Sequence, residues 1–245
     1  MPTKTKKRPY KPAVEPNLRH GGRASDTCPR CGLARSKKKT DGKPLHGIPE
    51  LVDSADLRGV LRTVDDNLRS DSELTGDPDC GFMMGVLEAR IDNKEYYLIA
   101  SSGWNKKLEG PWIQPKHLKN ITYHRGEWET VNPKIPDQEK KEEWWTVRGA
   151  RVELSPTVDN LTKSCSAIKL LLGLGAKKLA WNSVGYVRMS EMAYVGSNAS
   201  AKIRAIFKNW HGKGATNSWT AHSCKECEAR VPYLICDVPT NMIDP

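Results

Sequence analysis

Apolar residues along this chain recur at two spacings. Between 50 and 70, Leu51, Ala55, Leu57, Val60, Leu61, Val64 and Leu68 follow a helical period and predict one amphipathic helix or two short ones. A polar, turn-rich linker covers 70–79. Residues 82–91 and 95–100 are two strand-like runs, and Asp92-Asn93-Lys94 between them supplies the turn of a hairpin. Between 160 and 174 the period returns to that of a helix. Leu161, Cys165, Ile168 and Leu172 make one buried stripe, Pro156 and Asp159-Asn160 are start signals, and Gly173 and Gly175 are stops.

The C-terminal third continues in the same manner. Residues 177–181 and 186–189 read as a strand region. Residues 200–211 read as an amphipathic helix with Ile203, Ile206, Phe207 and Trp210 inside and Lys202, Arg204 and Lys208 outside. Residues 223–230 look like a short helix entered through a polar cap, followed by a buried strand over 233–238. Periodicity is weak over 104–150, which predicts an insertion (about 104–155) of loops and short elements. Trp104, Trp112, Trp128, Trp144 and Trp145 lie there among Lys106, Lys107, Lys116, Lys119 and Arg125. Aromatics among basic residues can stack on unpaired bases. Tryptophans also anchor loops to a core, and for any single one here that is the preferred reading.

Composition narrows the class. The chain has 245 residues, enough for one sizeable core or one domain with an appendage. No apolar run reaches the ~18 residues of a membrane span, and the basic N-terminal stretch has no apolar segment after it, so neither a membrane span nor a secretory signal is expected. A cytoplasmic protein, or one delivered into a target cell, is the expectation. The net charge of +10 favours a polyanionic partner, with nucleic acid the usual one. Residues 1–25, rich in Lys, Arg and Pro, read as a disordered basic arm that adds salt-dependent phosphate attraction or serves only as a solubilising tail.

The cysteines carry the candidate chemistry. There are seven, an odd number, and two C-x-x-C pairs read better as metal sites than as disulfides. Cys28-Pro29-Arg30-Cys31-Gly32 is a tight thiolate knuckle, half of a zinc ribbon whose second half does not follow nearby. His46, Cys80, His20 and Cys236 are candidates to complete a structural zinc site in a small region over 26–79, and a pair of free thiols in a loop is the alternative. Cys224 and Cys227 form the second pair. With Cys165 they make a three-thiolate cage that leaves one zinc position open for water, as a catalytic site requires. Taken alone, Cys165 reads as a small core residue on an apolar stripe.

The order of hairpin, helix carrying Cys165, strand region, helix opening with Cys224-x-x-Cys227 and strand resembles the zinc-dependent cytidine deaminase superfamily, including its bacterial toxin-like branches. The resemblance covers roughly 80–240, within an expected deaminase-like domain over 80–245. It implies an α/β fold, a central mixed sheet flanked by helices, here with a small N-terminal Cys-x-x-Cys subdomain and a Trp-rich insertion. It also implies one catalytic Zn²⁺ held by Cys165, Cys224 and Cys227, and a glutamate two residues after the first ligand that shuttles protons during attack on C4 of cytosine or C6 of adenine. That position is Ala167, which has no proton to move; losing a general acid–base typically costs about 10²–10⁴-fold. The chain as written is therefore expected to be inactive: an active enzyme whose glutamate has been exchanged for Ala167, the preferred reading, or a natural pseudoenzyme. Ser223 stands where the family has proline, and the interval from Cys165 to Cys224 is longer than usual.

By the same resemblance, cytosine is the expected base. The charge and the tryptophans favour a polynucleotide, DNA before RNA, with the base single-stranded or flipped out. Asn182, Trp219 and His222 flank the motifs and are candidates for lining the pocket. Two other readings remain: a non-catalytic zinc-stabilised nucleic-acid-binding protein, with His222 or Cys236 closing the second site, and a deaminase of free cytidine nucleotides.

Overall fold

The computed structural model describes residues 19–20, 28, 30, 32, 51–52, 54–123, 127–136, 143–155, 165–207 and 225–237. Two short strands come first, β1 (Arg19–His20) and β2 (Leu51–Val52). Arg19 and His20, expected within a disordered arm, thus pair in a sheet, and Leu51 belongs to a strand rather than to the helix after it. That helix, α1 (Ala55–Arg69), is single. The Ser54 side chain accepts the Leu57 N–H at 3.2 Å at its start, and Leu57, Val60, Leu61, Val64 and Leu68 form its buried face. A short α2 (Ser72–Thr75) follows, capped by Asp71.

The hairpin comprises β3 (Gly81–Ile91) and β4 (Lys94–Ser101). Asp92 and Asn93 have φ of 51° and 61°, the left-handed pair that a two-residue hairpin turn requires. The insertion contributes only short pieces: a 3-10 turn (Pro115–Leu118), β5 (Glu129–Thr130), β6 (Trp144–Trp145) and β7 (Arg151–Val152). Its tryptophans serve mainly as anchors. Trp112 and Trp144 are buried, Phe82 stacks on Trp112 with centroids 5.3 Å apart, and Trp145 donates to the Leu172 carbonyl at 3.0 Å. Trp104 is the exception, 51% exposed.

Next come α3 (Ser166–Ala176), β8 (Val184–Val195), α4 (Ala201–Phe207) and α5 (Lys225–Ile235). The protein is a mixed α/β structure. Its main sheet runs β1-β2-β8-β3-β4-β5, with β3 antiparallel to both long neighbours and parallel pairs at β2–β8 and β4–β5; β6 and β7 pair separately. Alternation along the strands separates two cores. Phe82, Met84, Val86, Ile99 and Tyr194 pack with α1 on one face. Leu87, Ala89, Ile91, Leu98, Ala100 and Met189 pack with α3 and α5 on the other.

Four expectations about this half need correction. The helix at 166–176 is buried on all sides from Ser166 to Gly175 rather than along one stripe, and it runs through both glycines read as stops. At Gly175 a Cβ would lie 2.2 Å from the Thr146 carbonyl oxygen, so that glycine serves close packing, not termination. Residues 177–181 are not strand, since Lys178 and Trp181 have φ of 49° and 53°; the strand starts at Val184. Tyr233, Leu234 and Ile235 belong to α5, not to a strand. Cys227, Val231 and Leu234 repeat at helical spacing and are buried, and the helix continues through Pro232. No described residue of α4 is buried: Ile206 is exposed, while Ile203 and Phe207 are half-buried over Gly81. Trp210 lies outside the described residues.

Candidate functional site

The polar chemistry of the α3 face gathers at the N-terminal end of α3. Cys165 occupies the N-cap with extended backbone, φ −72° and ψ 147°, and its side chain makes no capping hydrogen bond. Glu191 of β8 performs the cap instead. Its carboxylate accepts the Ala167 N–H at 3.1 Å and the Ser166 hydroxyl. A carboxylate there meets the positive end of the helix dipole and unpaired N–H groups.

Gly85 makes this approach possible. It pairs directly with Glu191 across the sheet, and a Cβ on it would lie 2.9 Å from Leu170 Cδ1 and 3.3 Å from the Ser166 side chain. Lys169 lies one position beyond the first turn and is buried. Its ammonium donates to the Gly103 carbonyl at 2.9 Å and to Asn132 Oδ1 at 2.6 Å, so it ties α3 to the loop after β4. Burial pushes that ammonium down to about 8.

Cys227 is the third residue of α5 and is buried in the cluster that contains Ala167; Cys165 packs against the same cluster. Arg230, one turn on, is buried with its guanidinium 5.0 Å from the centroid of the Trp144 ring. Ala167 and Cys227 belong to one extended apolar cluster and Cys165 packs against it, the two thiols standing near the openings of two helices. Thiol sulfur is a donor type that suits zinc. Cys224, Trp219 and His222 lie outside the described residues. Asn182 is exposed at the hairpin tip, where its amide is 3.4 Å from Asp92 Oδ2. That tip is roughly 20 Å along β3 from Gly85, so Asn182 is not grouped with the thiols.

The N-terminal knuckle is drawn to the other end of the chain. Cys28 is fully buried, and its Sγ lies 3.8 Å from Sγ of Cys236. Cys80 is in the α1-side core, where burial, with the Asp77 charge second, pushes its thiol up to about 12. Cys31 and His46 lie outside the described residues. Among the described residues no group of three or more His, Cys, Asp or Glu side chains is arranged to hold a metal.

Sequence reasoning passed over Glu191, Lys169 and Gly85. The signal for Glu191 was present: Val187, Met189, Ala193 and Val195 share its strand parity and are buried, so an acid at 191 stands on an apolar face. A second buried carboxylate, Glu88, lies on the opposite face and accepts from the hydroxyls of Tyr186 at 2.8 Å and Tyr123 at 3.4 Å. No protein-family model matches the chain, and no curated protein or solved structure matches it.

Proposed function

We propose that the chain is the scaffold of a zinc-dependent deaminase acting on cytosine in nucleic acid, with Ala167 in place of the glutamate that would move protons. The observation that carries this reading is the placement of Cys165 and Cys227 at the openings of two helices packed on one sheet face. Hairpin, Cys165 helix, strand and Cys227 helix follow one another as in the deaminase resemblance, with α4 between the last two and without the strand expected after the Cys227 helix among the described residues. Cys165, Cys227 and Cys224 would hold the zinc. When bound, the metal supplies the polarised water that attacks C4 of the base.

The remaining work falls to the chain's own groups. Glu191 fixes the first turn of α3 and so sets where Cys165 and position 167 stand. Lys169 locks that helix to the loop at Gly103, beside Trp104. The exposed Trp104 ring, two positions before Lys106 on a chain of charge +10, suits an unpaired base and its phosphates.

The test restores the missing group. An Ala167→Glu variant is incubated with single-stranded DNA, duplex DNA and RNA pools, which are then sequenced against the unsubstituted protein. C-to-U changes made by the variant and not by the unsubstituted protein support the reading. No conversion of any polymer by folded, zinc-loaded variant overturns it. A second reading, a zinc-stabilised binder without catalysis, is favoured by Ala167 itself, fully buried among apolar neighbours. It requires four protein ligands around the metal instead of three thiolates and water, a difference that X-ray absorption spectroscopy of the zinc reads directly.

A further inference from the structure

We infer that Cys28 and Cys236 are ligands of one structural zinc ion, which staples the N-terminal C-x-x-C-G turn to the C-terminal end of α5. Their sulfurs are 3.8 Å apart although 208 positions separate them in sequence. Two thiolates on one tetrahedral zinc, each about 2.3 Å from the metal, lie about 3.8 Å from each other. A disulfide would hold them at about 2.05 Å.

The local backbone fits the same reading. The Cys28 carbonyl accepts the Gly32 N–H at 2.9 Å, and Gly32 has φ of 70°, so the chain turns sharply just after the second cysteine of the motif. A backbone of that sign favours glycine. The α5 end is itself well fixed. Thr146 donates to Asp237 Oδ2 at 2.5 Å, and Arg148 donates to the Asp237 carbonyl at 3.2 Å.

A metal explains why such a turn docks at all. It carries Pro29, Arg30 and Gly32 and almost no apolar side chains, so burial alone gives it little reason to stay on α5. Zinc binding supplies folding free energy directly in segments of this kind. The site is separate from the Cys165 centre and does not rest on the deaminase reading.

Zinc per chain, measured by mass spectrometry on the full-length protein, tests it. Cys28→Ser, Cys236→Ser and the double variant should each lose the same single equivalent, while Cys80→Ser keeps it and Cys165→Ser leaves this equivalent in place. Unchanged zinc in both single variants overturns the assignment, as does an additive loss in the double variant. If a variant fails to fold, the unsubstituted protein answers through maleimide labelling and peptide mapping. Cys28 and Cys236 should label only after a zinc chelator is added. Labelling indifferent to the chelator, or a Cys28–Cys236 disulfide under non-reducing conditions, overturns it.

Discussion

The two faces of the central sheet share the same three long strands and differ in what they bury. The α1 face is filled by leucines, valines and aromatics, and its thiol, Cys80, is held protonated by burial. Its carboxylate, Glu88, is met by tyrosine hydroxyls. The α3 face buries Ser166, Lys169 and Glu191 at the start of α3 and Arg230 of α5 over the Trp144 ring, and its apolar cluster takes in Cys227 with Cys165 packed against it. Burying polar and charged groups costs free energy unless each is partnered. Concentrating most of them at one helix end separates the part of the molecule that supplies stability from the part that holds reactive groups in place.

The largest expected effect lies on the apolar side. Leu61→Ala should lower unfolding free energy by about 2–5 kcal/mol in denaturant titration while leaving zinc content unchanged. Loss of metal in that variant would erase the distinction between the faces. On the other side, Glu191→Ala leaves the Ser166 hydroxyl and the Ala167 N–H without their acceptor, and should cost about 1–3 kcal/mol. Glu191→Gln keeps an acceptor and should cost less. Equal denaturation midpoints for both variants and the parent would remove Glu191 from its role at the helix start.

The smallest effect is a dependence on pH, and the faces respond at opposite ends of the scale. Lys169 is depressed to about 8 from 10.5, so the unfolded chain binds more protons between those values. The penalty for burying the charge is present below about pH 8, and stability rises as pH increases through that window. A Lys169→Met variant should lack that rise. On the α1 side, burial would raise the Asp71 carboxyl, but hydrogen bonds from Lys116, His117 and the Glu73 N–H outweigh it and bring it down to about 2 from 3.8. Its stabilisation is present above about pH 4 and is lost as pH falls towards 2. His117 accepts the Gln114 N–H on Nδ1, so it is neutral and donates to Asp71 from Nε2, in keeping with burial lowering its own value. Thermal melts of parent and variants across both windows check the two slopes.

Local signals were legible in sequence and long-range ones were not. The α1 period and the Asp92-Asn93 turn are complete within 15 and 21 residues respectively, and both elements formed within the spans the pattern gave, although the helix begins at Ala55 and Leu51 lies in β2. The extent of α3 was misread because Gly173 and Gly175 answer to neighbours at Val131 and Thr146, far away in sequence. The helical phase of α5 was hidden by Pro232 and by the dense apolar run that follows it. Of the candidate site, Cys227 was marked by its C-x-x-C pair and Cys165 by the deaminase resemblance, and Cys236 was one candidate among four until the fold set it beside Cys28. Glu191 is recognised as buried only when the parity of its strand is read against the face that α3 covers.

The central strand also has a history during synthesis. It pairs with β4 through a two-residue turn, a contact that closes in microseconds once both strands exist. Its other edge waits for β8, whose pairing residues lie about 100 positions further along. At ~5–20 residues per second that interval is about 5–20 s. Throughout it, the backbone of Met84, Val86, Leu87 and Ala89 presents an apolar, half-paired edge that any other strand can occupy. The same strand that organises the finished sheet is therefore the point at which a nascent chain is most open to aggregation.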